Sequence, residues 1–450
     1  MTEAATTPRG RRFSISHLAL LVPWVAVVID AWGSIRDNSF LWHVRAGTVQ
    51  ANEGTVIAAD PFSFTMAGEP WLTQSWLVEL LYSWAEGIAG LGFVPYLILL
   101  VGSLTFVTIG LIAYFHSRSV PATAFVLVLG VIALISFLVP RPVIFSYLLM
   151  TLVILAWDRP STRWTLPFLF WIWASVHASF VIGLAYVGLS LIMRGQWRLL
   201  PTAVASGLVT VATAHGLGVV SFLVDFEASS DALQHLTEWR RPEFFEPVFL
   251  PFLGTMAFIV IAAFRQRVRP RHLWLIVPFV LLGLSSVRGI PPAFVGLTPV
   301  LALSLSGLEI GSSAGLRPRL AGIFAVVVLV LPFLMIRGAE LSDERFPTEA
   351  VAHLDPVRTF HDDVAGGYLI WAKGPEFGVY LDDRAELYGP RLGEFVEVRR
   401  MGIPWEPIFE RDGIKQALLR NDEDLKQSLS DAGWVTIHAD DNFSVLRPGA

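Results

Sequence analysis

Residues 92–115 read GFVPYLILLVGSLTFVTIGLIAYF, a run without a single charged side chain. At about 1.5 Å of rise per residue, such a run makes a helix of roughly 36 Å, enough to cross a hydrocarbon core of about 30 Å. Working outward, further apolar runs lie at roughly 13–32, 121–139, 142–157, 164–177, 178–193, 199–215, 248–264, 272–287, 291–309 and 320–337. The expected fold is therefore an α-helical polytopic membrane protein of about eleven transmembrane helices. Several runs fall short of about 17 residues, which predicts tilted, broken or re-entrant helices buried by their neighbours or facing a wet cavity.

The composition agrees. Of 450 residues, 54% are hydrophobic and 16% charged, against roughly 25% charged in an ordinary soluble domain. A net charge of −5 argues against nucleic acid as a partner, because phosphate binding needs basic charge. There is no cysteine, which excludes disulfides, thiolate nucleophiles and cysteine-ligated metals.

Orientation follows the arginines. With residues 1–12 (Arg9, Arg11, Arg12) in the cytoplasm and a retained first span, the inside loops carry Arg118, Arg159, Arg163, Arg194, Arg198, the cluster from Arg265 to Arg271, Arg317 and Arg319. The opposite side receives the first loop at about 33–75, a loop at about 224–247 and everything after Arg337. From residue 338 onward there are 12 basic and 22 acidic residues, a charge of −10 that leaves +5 for the membrane part, 13–337, and the N-terminus together. This tail, 338–450, is long enough to bury its own core. Strand-like runs at Val357–Phe360, Gly378–Leu381, Gln416–Leu419, Trp434–His438 and Phe443–Leu446, with a helical stretch at Asp422–Ala432, predict an extracytoplasmic α/β domain. The protein is thus expected in the plasma (inner) membrane, crossing it many times, with the lipid bilayer as its first partner.

The first loop is the segment richest in chemistry. It holds Asp37, Trp42, His43, Arg45, Gly47, then Asp60-Pro61-Phe62-Ser63-Phe64-Thr65, Glu69-Pro70-Trp71 and, entering the next helix, Glu79. Ionisable groups alternating with aromatic rings suit an interfacial segment with polar groups turned to a cavity; an interfacial plug would have the same composition. The loop resembles the first periplasmic loop of bacterial multi-spanning proteins related to the GT-C glycosyltransferases, which use polyprenyl-phosphate-linked sugars. The resemblance extends to Arg141-Pro142, to Trp173 through His177 to Phe180, and in the tail to Gly366-Gly367-Tyr368-Leu369-Ile370-Trp371 and Asp382-Asp383-Arg384-Ala385-Glu386-Leu387-Tyr388. At the position two after Asp37, often acidic in such proteins, this chain has Ser39.

The resemblance implies transfer of a sugar from a polyprenyl-phosphate donor to a glycan, lipid or protein acceptor on the outer face. An attacking hydroxyl needs a carboxylate within hydrogen-bond reach, and Asp37 is the candidate base, with Asp30 two helical turns earlier on the same face if the helix continues, and His43 beside them. The leaving phosphate needs cations. Candidates are Arg45, Arg141, His177, Arg240, Arg241 and Arg288, with Asp60 and Glu79 as further substrate contacts; arginine suits phosphate because its planar fork binds bidentately. A divalent metal, Mg or Mn, is left open as a cofactor, with His43, His177 and His215 as conceivable ligands. Asp362, Asp363, Asp382 and Asp383 follow strand-like runs, where ligands bind in open sheets, although turn chemistry accounts for them equally. A carrier of lipid-linked glycans and an inactive scaffold are the competing classes. A carrier needs polar residues at mid-membrane and often related halves, whereas here the charges gather at span ends and no repeat is visible.

Overall fold

The computed structural model of the protein describes residues 19–32, 35–219, 240–243, 245–247, 249–306 and 340–449. The helical part comprises α1 (Val22–Ala31), α2 (Ser39–Glu53), α3 (Trp76–Ala89), α4 (Phe93–Ser117), α5 (Val120–Leu134), α6 (Val143–Asp158), α7 (Leu166–Val176), α8 (Phe180–Arg194), α9 (Leu200–Leu208), α10 (Leu250–Phe264), α11 (Leu273–Ser285) and α12 (Ile290–Ser304). Among the described residues, three stretches are long and apolar enough to cross a membrane: Trp76–Ser117, in which α3 and α4 join through a turn at Gly90–Gly92, Val120–Phe137 and Val287–Ser304. The other apolar helices are shorter. The expected runs at 164–177 and 178–193 part where His177 takes an extended backbone (φ −167°), and the run from 199 tightens into a 3-10 turn at Val209–Val211. The expected span at 320–337, most of the loop at 224–247 and the basic N-terminus lie outside the described residues.

Helix α12 is the axis of the bundle. It packs against α4, α5, α6, α10 and α11, with an almost wholly buried surface from Ile290 to Ala302. Small residues let the helices close: a Cβ on Gly296 of α12 would stand 2.4 Å from the Phe279 ring of α11, and one on Gly283 of α11 would stand 2.4 Å from Phe252 of α10.

The first loop is not an irregular plug. Its first half is the helix α2, which ends at Gly54 in the left-handed region (φ 68°), where glycine has no steric cost. Helix α2 lies so tightly on α3 that a Cβ on Gly47 would sit 1.9 Å from the Glu79 carbonyl oxygen. Helix α1 stops at Ala31, and Ile35 then bridges Leu341 of the returning chain. The two-turn register expected between Asp30 and Asp37 is therefore lost; both instead line a small side pocket with Arg36.

The tail holds a four-stranded mixed sheet in the order β1-β2-β4-β3, with β1 (Thr359–Phe360) parallel to β2 (Gln416–Arg420) and with β3 (Trp434–Ala439) and β4 (Phe443–Pro448) antiparallel. Helix α13 (Asp363–Lys373) begins at Asp362, whose carboxylate accepts the Ala365 amide at 2.6 Å. Its apolar face joins the same core as the membrane-type helices, while Phe360, Tyr380, Phe395 and Phe409 form a second core beyond the sheet. Gly366 and Gly367 permit the docking, since Cβ atoms there would meet the Leu381 carbonyl at 2.0 Å and the Asn38 carbonyl at 2.9 Å. The run Gly378–Leu381, expected as a strand of the sheet, pairs instead with the first loop. Val379 takes the Phe62 carbonyl at 2.9 Å and gives its own carbonyl to Phe64 at 3.0 Å.

Arg384 locks this junction. Its guanidinium, 0% exposed, donates to Asp60 of the first loop at 2.7 Å and to Asp382 at 2.6 and 2.8 Å, both carboxylates being equally buried. Trp71, Phe62 and Trp42 surround it at 4.5, 5.2 and 5.8 Å from their ring centroids. Removing one partner from a buried charge cluster costs about 3–5 kcal/mol because the others stay charged and unpaired. Arg384→Met should therefore lower the unfolding temperature of the detergent-purified protein sharply, and Asp60→Asn should do so less. A thermal shift within experimental error for Arg384→Met would show that the cluster does not hold the tail to the loop.

Candidate functional site

Where the tail meets the helical part there is a cavity of about 360 Å³. Its walls come from α2 (Ser39, Trp42, His43), the segment Trp71–Ser75 with Glu79, the entry to α6 (Arg141, Tyr147), the break at His177–Ser179, the turn Ser286–Gly289, and Asp383–Glu386 of the tail. Of the residues expected to act, His43, Glu79, Arg141, His177 and Arg288 meet here.

Each is held from behind. Glu79 is fully buried at the start of α3 and accepts from His43 Nδ1 at 2.9 Å, Gln50 Nε2 at 2.6 Å and Thr73 Oγ1 at 2.5 Å. This fixes the proton of His43 on Nδ1 and leaves Nε2 as the basic nitrogen, the arrangement that makes a histidine a proton acceptor. The Trp42 ring lies against His43 with centroids 3.5 Å apart. His177 Nδ1 is engaged with the Ser179 hydroxyl at 2.9 Å, and the break that exposes it is held by Gln74, which accepts the Ala178 amide at 2.9 Å. Arg288 sits in the 3-10 turn Val287–Gly289, capped by the Ser286 hydroxyl, which accepts the Gly289 amide at 3.1 Å. These are short turns between apolar helices, so their polar groups converge at one end of the bundle.

Asp37 has a different place from the one expected. Arg141 Nε donates to its Oδ2 at 2.6 Å and the Phe40 amide to its Oδ1 at 3.4 Å, and Asp37 itself is absent from the cavity lining. It positions Arg141 rather than facing the cavity. Besides Glu79, the carboxylates that line it are Asp383 and Glu386, supplied by the tail. Asp383 accepts from Trp42 Nε1 at 2.7 Å and from the Ser39 hydroxyl. Ser39 thus holds an acid brought from 344 residues away. Burial pushes the Asp383 carboxyl up to about 6, against the pull of Arg141, and burial likewise raises Glu386, which lies 3.4 Å from Trp71 Nε1.

The remaining candidates lie outside. Arg45 donates to the Trp371 carbonyl, tying α2 to α13. Asp60 is committed to Arg384 and to the amides of Phe62 and Ser63. Asp30 stays in the side pocket. Arg240 pairs with Glu243 and Glu246, Arg241 is exposed, and His215 Nε2 meets the Thr73 carbonyl at 2.6 Å. Asp362 and Asp363 serve the start of α13 near Arg399. Among the described residues, the one group of three His, Asp or Glu side chains spaced for a single metal ion is Glu349, His438 and Asp440 in the tail, none of which lines the cavity.

Because the folded value of Asp383 lies above its usual 3.8, the native protein prefers this group protonated. Its contribution to stability is complete below about pH 3.8 and is lost as the pH rises through about 6. Asp383→Asn should therefore raise the unfolding temperature at pH 7.5, with the gain fading as the pH falls below about 5. A gain independent of pH, or a loss at pH 7.5, would place the raised carboxyl elsewhere. No protein-family model and no curated protein sequence matches this chain.

Proposed function

We propose that this protein is a membrane glycosyltransferase of the GT-C-like kind, moving a sugar from a polyprenyl-phosphate donor to an acceptor hydroxyl at the outer membrane face. The observation that carries the reading is the cavity itself: Arg141, Arg288 and the paired Arg384, the carboxylates Glu79, Asp383 and Glu386, and the Glu79-held His43 share about 360 Å³ at the junction of apolar helices and a polar domain. The reading includes about eleven membrane crossings, an N-terminus in the cytoplasm and a tail outside.

In this reading Arg141 and Arg288 take the donor phosphate. The acceptor oxygen attacks the anomeric carbon and forms the new C–O bond, and its proton passes to the Asp383 carboxylate. The bond from the anomeric carbon to the phosphate oxygen breaks, its electron pair leaves with the phosphate, and the guanidinium groups offset that charge. A carboxyl of about 6 is ionised at neutral pH yet more basic than an ordinary one, which suits a general base. Asp37 keeps Arg141 aimed, and His43 Nε2 is a second proton acceptor for a sugar or acceptor hydroxyl. A polyprenyl chain would leave along the apolar wall formed by Tyr147, Met150 and Ile182.

One observation favours transport instead. A second polar pocket of about 330 Å³, with His116, Asp158, Arg194, Arg271 and His272, lies at the far end of α4. A carrier needs a polar path between the two. They share no lining residue, and no residue of α4 lines the first.

The test is transfer of labelled sugar from polyprenyl-phosphate donors by the protein in proteoliposomes. Asp383→Asn should cut turnover by about 10² to 10⁴ and abolish an activity limb that rises with pH through about 6. Arg288→Ala should weaken donor binding as well. Full activity of Asp383→Asn would remove the base assignment, and movement of the donor across the bilayer without transfer would make the protein a carrier.

A further inference from the structure

We propose that Glu349, His438 and Asp440 form a zinc-binding site that fastens the chain entering the tail to the edge of the tail's sheet. The site is separate from the cavity and does not depend on the transferase reading. The potential ligand atoms of the three side chains all lie within 4.8 Å of one another. Two features beyond proximity point to a cation.

The first is an orphaned nitrogen. His438 Nε2 is buried without a hydrogen-bond partner, although buried polar atoms are nearly always paired. Its nearest acid, Asp440 Oδ2, stands at 3.9 Å, too far for a hydrogen bond. Zinc bonds of about 2.0–2.2 Å place two ligand atoms of a tetrahedral ion roughly 3.4 Å apart, so a small side-chain adjustment closes the site. The second is that the groups are already oriented. Asp440 spends Oδ1 on the amides of Asn442 and Phe443 at 2.8 and 2.7 Å, and its Oδ2 faces His438. His353 stacks on His438 with ring centroids 3.9 Å apart and planes inclined by 11°, which fixes the ring plane. The register of β3 shifts between Thr436 and His438, and such bulges re-aim a side chain.

One imidazole and two carboxylates favour a borderline ion such as Zn²⁺ over Mg²⁺ or Ca²⁺, which prefer all-oxygen shells; water completes the coordination. Glu349 immediately precedes the 3-10 turn Ala350–His353, which packs on β3 and β4. The ion would therefore join the incoming chain to edge strand β3, whose residues Val435 and Ile437 are exposed.

The experiment uses the full chain in detergent with any histidine tag removed, stripped with chelator and titrated with ZnCl2 against a chromogenic competitor. The expected result is one tightly held equivalent and a rise in unfolding temperature with zinc concentration. His438→Ala should abolish both, and Glu349→Gln, at an exposed position that tolerates substitution, should weaken binding at least ten-fold. Glu376→Gln, an exposed acid of the tail that is not in the triad, should change neither. Zinc binding that survives both substitutions would overturn the proposal, as would the absence of a tight equivalent or equal retention of Mg²⁺ or Ca²⁺.

Discussion

The buried guanidinium of Arg384 is the constraint on which the rest of the architecture turns. A charge with no exposure to solvent is tolerable only with its counter-charges in place, and here they come from two parts of the chain: Asp382 beside it and Asp60 from a loop 324 residues earlier. The rings of Trp71, Phe62 and Trp42 complete its surroundings through their electron-rich faces. Such a cluster adds little net stability over an apolar packing of the same volume. What it fixes is register. Asp382 is buried beneath Arg384 while Asp383 and Glu386 line the cavity beside it, so the geometry that buries one carboxylate presents the others.

The cavity then has an electrostatic pattern that neither part could make alone. Arg141 and Arg288 come from the ends of apolar helices, and Arg384, Asp383 and Glu386 from the tail, with His43 and Glu79 between them. Aromatic and apolar side chains fill the intervening wall, which lowers the local dielectric and strengthens each charge. Asp37 belongs to the support of this pattern: its carboxylate is spent on Arg141.

Much of the helical part could be read from apolar runs, because a run without charges has few alternatives to a helix. The end of α4 at Ser117 and of α6 at Asp158 fall within two residues of the expected limits. Helix α2 escaped because its face toward solvent and its face toward the core are both mixed, so SFLWHVRAGTVQANE has no apolar run to betray it. In the tail, β2, β3 and β4 follow the β-rich runs closely. Val379 failed as a sheet strand because its partner is the distant Phe62–Phe64 segment, a pairing that local pattern does not encode. The same holds for the site. Arg141 and Arg288 were legible from their positions at span ends and His43 from the polar first loop, but Asp383 looked like turn chemistry, and only the fold shows Ser39 and Trp42 holding it.

The closure of the cavity by residues 383–386 has a consequence for biogenesis. On the ribosome, α2 and its loop emerge long before the tail that completes them, and through that interval Asp60 has no guanidinium and the cavity has no roof. Contacts at such sequence separation form late, and chains of this size assemble in stages. A chain truncated before Asp382 would therefore carry the helices, Arg141 and Arg288 yet lack Arg384, Asp383 and Glu386. The pattern of charges around the cavity is therefore finished only once residues 383–386 have been made.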